Sequence, residues 1–390
     1  MPETLNIAFC LFAYRPFGGL QRDFYRIAET CAARGHHIDV YTLEWQGAVP
    51  EAFNVQVLPV KRLRNHERSK QFAELLTAAL QECDHDVVIG FNRVPGLDLY
   101  YAADPCYAAK IRELHGPWYR LSGRYRHFSA TEKALFSPQS DTRILLLSEQ
   151  EIPKFVRFYQ TPVERFQLLP PGIARDRMAP VNAAQIRKDF RNEFDFGAHD
   201  RLVLMVGSGF RTKGLDRAIR ALAALPDEPR GRTTLMVVGE DNARQFLRLA
   251  KRLDVARQVR FMQGQADVTR FMLGADLLIH PAYSENTGTV LLEAMIAGLP
   301  VLVTAVCGYA VHVDRAQAGR VIPSPFDQAA LNRALAEMLD APERKQWSEN
   351  GIRYGQEEDL YSMPDIVADA IEQYAESRNY PACNEPASTD

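Results

Sequence analysis

Apolar residues along this chain gather in short runs, and between the runs they recur every three or four positions. Ile7-Ala8-Phe9-Cys10-Leu11 is the first run; it stops at a turn containing Gly18-Gly19, after which Phe24, Ile27, Ala28 and Cys31 fall at helical spacing. Arg34-Gly35 ends that helix, and Ile38-Asp39-Val40-Tyr41 reads as the next strand. The alternation continues with a helix near 67 to 82, a strand at Asp86-Val87-Val88-Ile89, helical stretches between 107 and 136, and a strand at Arg143-Ile144-Leu145-Leu146-Leu147. Strands separated by helices predict a parallel sheet covered on both faces.

Leu168-Leu169-Pro170-Pro171-Gly172 breaks the pattern, and a polar stretch to about 200 leads into a second series. Its strands are predicted at Leu202-Val203-Leu204-Met205-Val206, Leu235-Met236-Val237-Val238, Val259-Arg260-Phe261, Asp276-Leu277-Leu278-Ile279-His280 and Val301-Leu302-Val303-Thr304. The expected fold class is therefore α/β, with two Rossmann-like domains whose parallel sheets face a central cleft. The expected divisions are residues 1–171 and 172–360, a helix over about 361–379 packing back on the first domain, and a frayed tail at 380–390.

The chain's 390 residues suit two domains, and 46% apolar content suffices for two cores. The 46 basic and 49 acidic residues give a net charge of -3, which removes any global electrostatic case for nucleic acid. Cysteines at 10, 31, 83, 106, 307 and 383 form no CxxC pair and no zinc-like spacing, which fits a reducing cytoplasm. Met1-Pro2-Glu3-Thr4-Leu5-Asn6 lacks the basic region and apolar run of a secretion signal, and no stretch approaches the roughly 20 apolar residues of a membrane span. A soluble or peripheral protein is expected.

The strongest local signal for chemistry is the segment His280-Pro281-Ala282-Tyr283-Ser284-Glu285-Asn286-Thr287-Gly288-Thr289-Val290-Leu291-Leu292-Glu293. A buried strand ends, a polar loop carries Glu285, and a helix opens around Thr287 to Thr289. The N–H groups and dipole of that helix start favour a diphosphate, and Glu293 is in reach of a ribose hydroxyl. The plainer alternative is that Asn286 or Thr287 caps the helix and both glutamates are solvated. A second element, Val206-Gly207-Ser208-Gly209-Phe210-Arg211-Thr212-Lys213-Gly214, joins a strand to an amphipathic helix; it is neither a Walker loop nor GxGxxG, yet beside the glutamates Lys213 is a phosphate candidate. Asp84-His85-Asp86 spells a DxD but precedes its strand, away from the carboxyl-end crevice, so no metal site is expected there. Between 110 and 128, Lys110, Arg112, Arg120, Arg124 and Arg126 alternate with Trp118, Tyr119, Tyr125 and Phe128. Such a surface suits an anionic lipid face, an acidic protein partner, or simply a solvated helix with its aromatics turned inward.

The Glu285 to Glu293 spacing, followed by Gly298-Leu299-Pro300-Val301, resembles the E-x7-E motif of the retaining GT-B transferases of glycosyltransferase family 4. Phe17-Gly18-Gly19-Leu20-Gln21-Arg22-Asp23, Tyr125-Arg126-His127, Leu169-Pro170-Pro171-Gly172-Ile173 and Thr304-Ala305-Val306-Cys307-Gly308-Tyr309 narrow the resemblance to bacterial enzymes that glucosylate a heptose of the lipopolysaccharide inner core. The resemblance implies metal-independent, retaining transfer of a hexose from a UDP-sugar, with UDP-glucose the expected donor, by front-face attack or through a covalent intermediate. It implies Glu285, Lys213 and Asp23 as catalytic residues, and donor contacts from Gly19, Asn286, Thr287, Gly288, Thr289, Val290 and Glu293. Uracil is expected near Gln263 to Gln265. Relatives carry an arginine five residues before the lysine; Ser208 stands there in this chain, which leaves Arg211 as the candidate cation. Relatives also place a histidine-bearing loop near the donor sugar where this chain has Asp98 and Asp104, the candidate acceptor contacts. A lipid-anchored acceptor implies docking on the cytoplasmic face of the inner membrane. Rival readings are a UDP-hexosamine donor, a UDP-sugar epimerase of the same fold, a non-catalytic sugar-binding protein and, less well matched, a nicotinamide dehydrogenase.

Overall fold

The structure is a computed structural model that describes residues 4–379 apart from positions 17, 63, 115 and 266; the tail expected at 380–390 lies outside the described residues. The chain divides into two compact units, one running to Gly172 and resumed from Ser362 onward, the other Ile173–Tyr361.

In the first unit, β1 (Asn6–Cys10), α1 (Gly19–Ala33), β2 (His37–Thr42), β3 (Phe53–Val57), α2 (Asn65–Gln81), β4 (Val87–Gly90), β5 (Leu99–Ala102), α3 (Tyr107–Leu114), α4 (Gly123–Phe136), β6 (Arg143–Leu146), α5 (Ile152–Tyr159) and β7 (Phe166–Leu168) follow in order. The strands form a parallel sheet of order β3-β2-β1-β4-β5-β6-β7. Period-two alternation assigns its faces. Ile7, Phe9 and Tyr101 join Phe24 and Ile27 of α1 in one core, while Ala8, Cys10 and Tyr100 join Phe72 of α2 and Phe136 of α4 in the other.

The second unit holds α6 (Ala183–Glu193), β8 (Arg201–Val206), α7 (Leu215–Ala223), α8 (Asp227–Gly231), β9 (Thr233–Val238), α9 (Arg244–Arg252), β10 (Val259–Met262), α10 (Val268–Gly274), β11 (Leu277–His280), α11 (Thr289–Ile296), β12 (Val301–Thr304), α12 (Ala310–Ala316), β13 (Gly319–Ile322), α13 (Gln328–Asp340) and α14 (Arg344–Glu357). Its parallel sheet runs β10-β9-β8-β11-β12-β13. Leu202 and Leu204 face one core, Val203 and Met205 the other.

The chain then returns to the first unit as α15 (Met363–Asn379). Met363, Val367, Ile371 and Ala375 recur every four residues and are buried in the core shared with α1. Full burial of Val367 and Ile371 contributes roughly 1.5–3 kcal/mol each. Arg34 at the end of α1 pairs with Asp369 at 2.6 Å and Glu372 at 3.2 Å, fixing the register of the two helices.

Strands β3, β5, β7 and β13 were not apparent as apolar runs. β5 is fully buried, but it follows Pro95-Gly96 within a segment that reads as a loop. β13 opens on Gly319, whose place against the Val301 backbone leaves no room for a Cβ. Among the described residues, no helix is long and apolar enough to cross a membrane.

An aspartate stands immediately before a strand at three places. Asp86 Oδ2 accepts the Asn6 N–H at 2.7 Å, Asp276 Oδ2 accepts the Leu202 N–H at 2.8 Å, and Asp98 Oδ2 accepts the Val88 N–H at 2.8 Å. Each carboxylate supplies an acceptor to a strand N–H at the sheet's amino edge. The DxD tripeptide is explained in the same terms, since His85 Nε2 lies 3.0 Å from Asp39 Oδ2 while Asp86 braces β1.

Candidate active site

In both sheets the strand order reverses beside the first strand, at β1/β4 and β8/β11, and the loops leaving the carboxyl ends there diverge to open a crevice. In the second unit, one loop (207–214) follows β8 and the other (281–288) follows β11. They meet closely. Gly214 has φ +77° and a Cβ there would overlap the Pro281 carbonyl, so glycine is required on both counts. Tyr283 N–H donates to Thr212 O at 2.8 Å, and Arg217 donates to Pro281 O at 3.1 Å and Ala282 O at 2.8 Å. The Arg217 guanidinium lies between the rings of Tyr283 and Phe326, 3.5 and 3.6 Å from their centroids.

These contacts bring Lys213 and Glu285 into a direct ion pair. The side chains are 23% and 14% exposed, desolvated enough to interact strongly and still open to a ligand. Burial lowers the Lys213 pKa from its ordinary value. His280, at the end of β11, places Nε2 3.3 Å from Glu285 Oε2. Burial first, and then neighbouring Lys213, push the imidazole down to about 3, so it is neutral at pH 7 and its Nε2–H serves as donor to the carboxylate. Cys307 bridges to Glu285 through the backbone, and burial pushes its thiol up to about 12. Tyr309 N–H donates to Thr287 O at 2.8 Å, so the turn after β12 supports the glutamate loop from its other side.

Gly288, at φ +87°, is the N-cap of α11, and no side chain caps that helix. The capping role open to Asn286 or Thr287 is therefore not taken. The first-turn N–H groups of Thr289 and Val290 stand at the positive end of the helix dipole, with no acidic residue in that turn. Asn286 and Glu293 are buried beside it. Ser208 Oγ accepts the Glu240 N–H at 3.1 Å, which links the loops after β8 and β9, while Arg211 is exposed on the same loop as Lys213. Gln263 and Gln265 follow β10, with Gln265 Nε2 donating to Gln263 O at 3.3 Å. The candidate donor residues of this unit thus share the carboxyl edge of β10, β9, β8 and β11.

In the first unit, Gly19 opens α1 and a Cβ there would meet open space. Asp23, one turn on, accepts the Tyr101 hydroxyl at 2.9 Å. Asp104 follows β5 at the carboxyl edge, exposed. Asp98, the other candidate acceptor residue, lies at the amino end of β5, where it holds the Val88 N–H and accepts the Tyr374 hydroxyl of α15 at 2.9 Å. The basic-aromatic segment divides in two. Tyr107, Tyr125 and Phe128 pack ring to ring, whereas Trp118 is 82% exposed beside exposed Arg120, Arg124 and Arg126. Lys110 and exposed Arg112 lie on α3, whose first N–H groups are held by buried Glu132 at 2.7 and 3.0 Å. Among the described residues, no cluster of His, Cys, Asp and Glu is arranged to hold a metal. The reading by pattern missed His280 and Arg217. A histidine at a strand end and an arginine within a helix carry no distinguishing signal without the neighbours that bury them.

Two family models match: glycosyl transferases group 1 over residues 186–354 and Glycosyltransferase Family 4 over residues 17–177. The chain is 48% identical over 366 residues to the lipopolysaccharide glucosyltransferase WaaG of Escherichia coli (strain K12), covering 94% of this chain and 98% of that protein. The crystal structure of WaaG, described as a glycosyltransferase involved in lipopolysaccharide biosynthesis, superposes with a TM-score of 0.90, covering 94% of this chain and 99% of that one. Anabaena HepE in complex with UDP-glucose matches at 17% identity with a TM-score of 0.74, covering 95% of this chain and 100% of that one, which is a likeness of fold alone.

Proposed function

The chain belongs to the two-domain glycosyltransferase family that includes the lipopolysaccharide glucosyltransferase WaaG, and on that premise we propose that it moves glucose from UDP-glucose to a heptose of the lipopolysaccharide inner core with retention at the anomeric carbon. The observation that carries this reading is the Lys213–Glu285 pair at the switch point of the second sheet, beside the uncapped start of α11.

As the glycosidic bond breaks, negative charge grows on the departing diphosphate and positive charge on the anomeric carbon. Lys213 and the N–H groups of Thr289 and Val290 stabilise the former, already oriented and partly desolvated before the donor arrives. The charge is met by the chain itself, and the transfer is metal-independent. In the ground state Glu285 neutralises Lys213; with donor bound, the diphosphate takes over the ammonium and Glu285 turns its oxygens to the hexose hydroxyls. The neutral His280 holds the other side of that carboxylate without adding a competing charge. Glu293 takes a ribose hydroxyl, the backbone around Gln263 to Gln265 the uracil, and Asp23 and Gly19 the side of the reaction served by the first unit. Attack comes from the front face within an ion pair.

The enzyme works on the cytoplasmic face of the inner membrane, where Trp118 and Leu121, 82% and 67% exposed, enter the headgroup region and Lys110, Arg112, Arg120, Arg124 and Arg126 meet anionic lipid. Incubation with a heptose-terminated core acceptor and a panel of UDP-sugars, read by product mass with chelator present, tests the reaction. Glucosyl transfer alone is the expected outcome; hydrolysis without transfer, transfer of a hexosamine, or loss of transfer on chelation counts against it.

A further inference from the structure

At the carboxyl ends of β1 and β2, within the first unit, lies a hollow of about 280 Å³ whose walls include Phe12, Arg15, Leu43, Arg68, Ser69 and Phe128. We propose that this hollow binds an anionic group, a carboxylate or a phosphate ester, carried on the acceptor saccharide; the proposal rests on the glucosyl transfer just described.

Four observations converge on an anion. First, Ser69 is 3% exposed and its hydroxyl has no hydrogen-bond partner among the described residues, an unmet polar group in the wall of a cavity. Second, the guanidinium of Arg68, one residue before it, makes no direct ion pair or side-chain hydrogen bond among the described residues, and its influence on Glu44 across the hollow is weaker than that of Gln46 and Arg15. One carboxylate, Glu44, also borders the hollow, but it is engaged by Arg15 at 3.3 Å and by Gln46 Nε2 at 2.5 Å. Third, Asn65, the first residue of α2, lies in the wall, and the N-cap residue Arg64 of this 17-residue helix makes no side-chain capping bond, which brings the helix's amino end to the hollow even with Glu67 in the first turn. Fourth, the segment 61–70 carries Lys61, Arg62, Arg64, Arg68 and Lys70 against Glu67 alone. Its field is felt across the gap on α4, where burial and then His66 and Lys70 hold the His127 pKa below its ordinary value.

A sugar fits this recess better than a lipid headgroup spread on a surface. The volume lies just below the ~300–1,000 Å³ of drug-sized sites and suits a single sugar residue. Phe128 offers an aromatic wall for the apolar face of a pyranose, while Ser69 and Arg68 supply the polar end. The loop that forms the near wall is held in place by Gln21 of α1, whose Nε2 donates to Ala13 O at 3.1 Å, and by Asn92, whose Oδ1 accepts the Phe12 N–H at 2.7 Å. This gives the Gln21 of the glycine-rich stretch a role in shaping the hollow.

The test uses a heptose-terminated inner-core oligosaccharide in three forms: untreated, with its carboxylates methyl-esterified, and with its phosphates removed. Binding is read by calorimetry without donor, and acceptor KM by transfer from UDP-glucose. Arg68→Gln should weaken binding of the untreated form about tenfold, the scale of one charge-assisted contact. The native chain should lose a similar factor for one modified form, and the mutation should then cost nothing further; which form this is identifies carboxylate or phosphate as the ligand. Ser69→Ala should lose about threefold on the same form. Equal losses from Arg68→Gln on all three forms, or none on any, overturn the hollow as an anion subsite. Calorimetry decides this even where no sugar is transferred, and an absence of transfer counts instead against the reaction proposed above.

Discussion

The two sheets share one strand order, with β7 added at the edge of the first, yet the switch points at β1/β4 and β8/β11 are finished differently. At β8/β11 the loops meet each other directly through backbone, Gly214 against Pro281 and Tyr283 N–H on Thr212 O, with a half-buried charge pair and a neutral histidine inside. At β1/β4 the loop after β1 is tied by backbone to the loop after β2, Leu43 N–H on Phe12 O and Tyr14 N–H on Glu44 O, and by neutral side chains, Asn92 on the Phe12 N–H and Gln21 on Ala13 O, and a recess remains beside them. The same topology thus yields a preorganised charge site in one unit and a shaped hollow in the other. Side-chain chemistry on the loops decides the outcome, which is why fold alone underdetermines function.

The largest effect should come from the aspartates that brace the two switch points from below. Asp276→Ala leaves Arg187 and Arg191 partly buried without their counter-charge and should cost about 3–5 kcal/mol, whereas Asp86→Ala removes an exposed acceptor and should cost about 1 kcal/mol. Denaturant unfolding reads both, and equal costs would erase the distinction between the units. Next, Lys213→Ala and Glu285→Gln should each lower turnover at least about tenfold with melting temperature preserved. Near-native rates in both would remove the charge site from the comparison.

Acidification bears most on the second unit, although His127 in the first is shifted in the same direction. The folded His280 and His312 pKa values, about 3 and about 4, lie below the unfolded value near 6.5, so their contribution to stability is full above pH 6.5 and is lost as pH falls toward 4. Each adds up to about 1.4 kcal/mol per pH unit in that window. Calorimetric melting between pH 7 and 5 should show the slope, and His280→Asn should flatten it; an unchanged slope would mean His280 is not held neutral. The smallest effect per charge altered belongs to the first unit's surface. Replacing Arg120, Arg124 and Arg126 by glutamate should weaken sedimentation with anionic liposomes by roughly 1 kcal/mol per charge at low salt, while unchanged sedimentation would assign the patch to an acidic protein or to solvent.

Much of this was legible in sequence because parallel strands buried on both faces read as unbroken apolar runs, and nine of them stand out from Ile7 to Val303. The glutamate loop was legible for a related reason: its spacing follows a buried strand and precedes a helix. What escaped depended on partners far along the chain. Asp98 reads like any polar loop residue until Val88 and Tyr374 are beside it, and His280 acquires its character only from Glu285 and Lys213. Arg68 and Ser69 sit in a helix of ordinary pattern, and only the hollow reveals that one makes no direct ion pair and the other no hydrogen bond among the described residues.

The return of the chain as α15 bears on how the molecule is made. A ribosome releases the first 172 residues early, yet the groove along α1 that receives Met363, Val367 and Ile371 stays empty until some 200 further residues have emerged. The unit begun first is therefore completed last. Through the synthesis of the whole second unit, the nascent first unit presents an apolar furrow to the cytosol, a ready substrate for trigger-type chaperones and a point at which truncated transcripts would yield sticky, proteolysis-prone fragments.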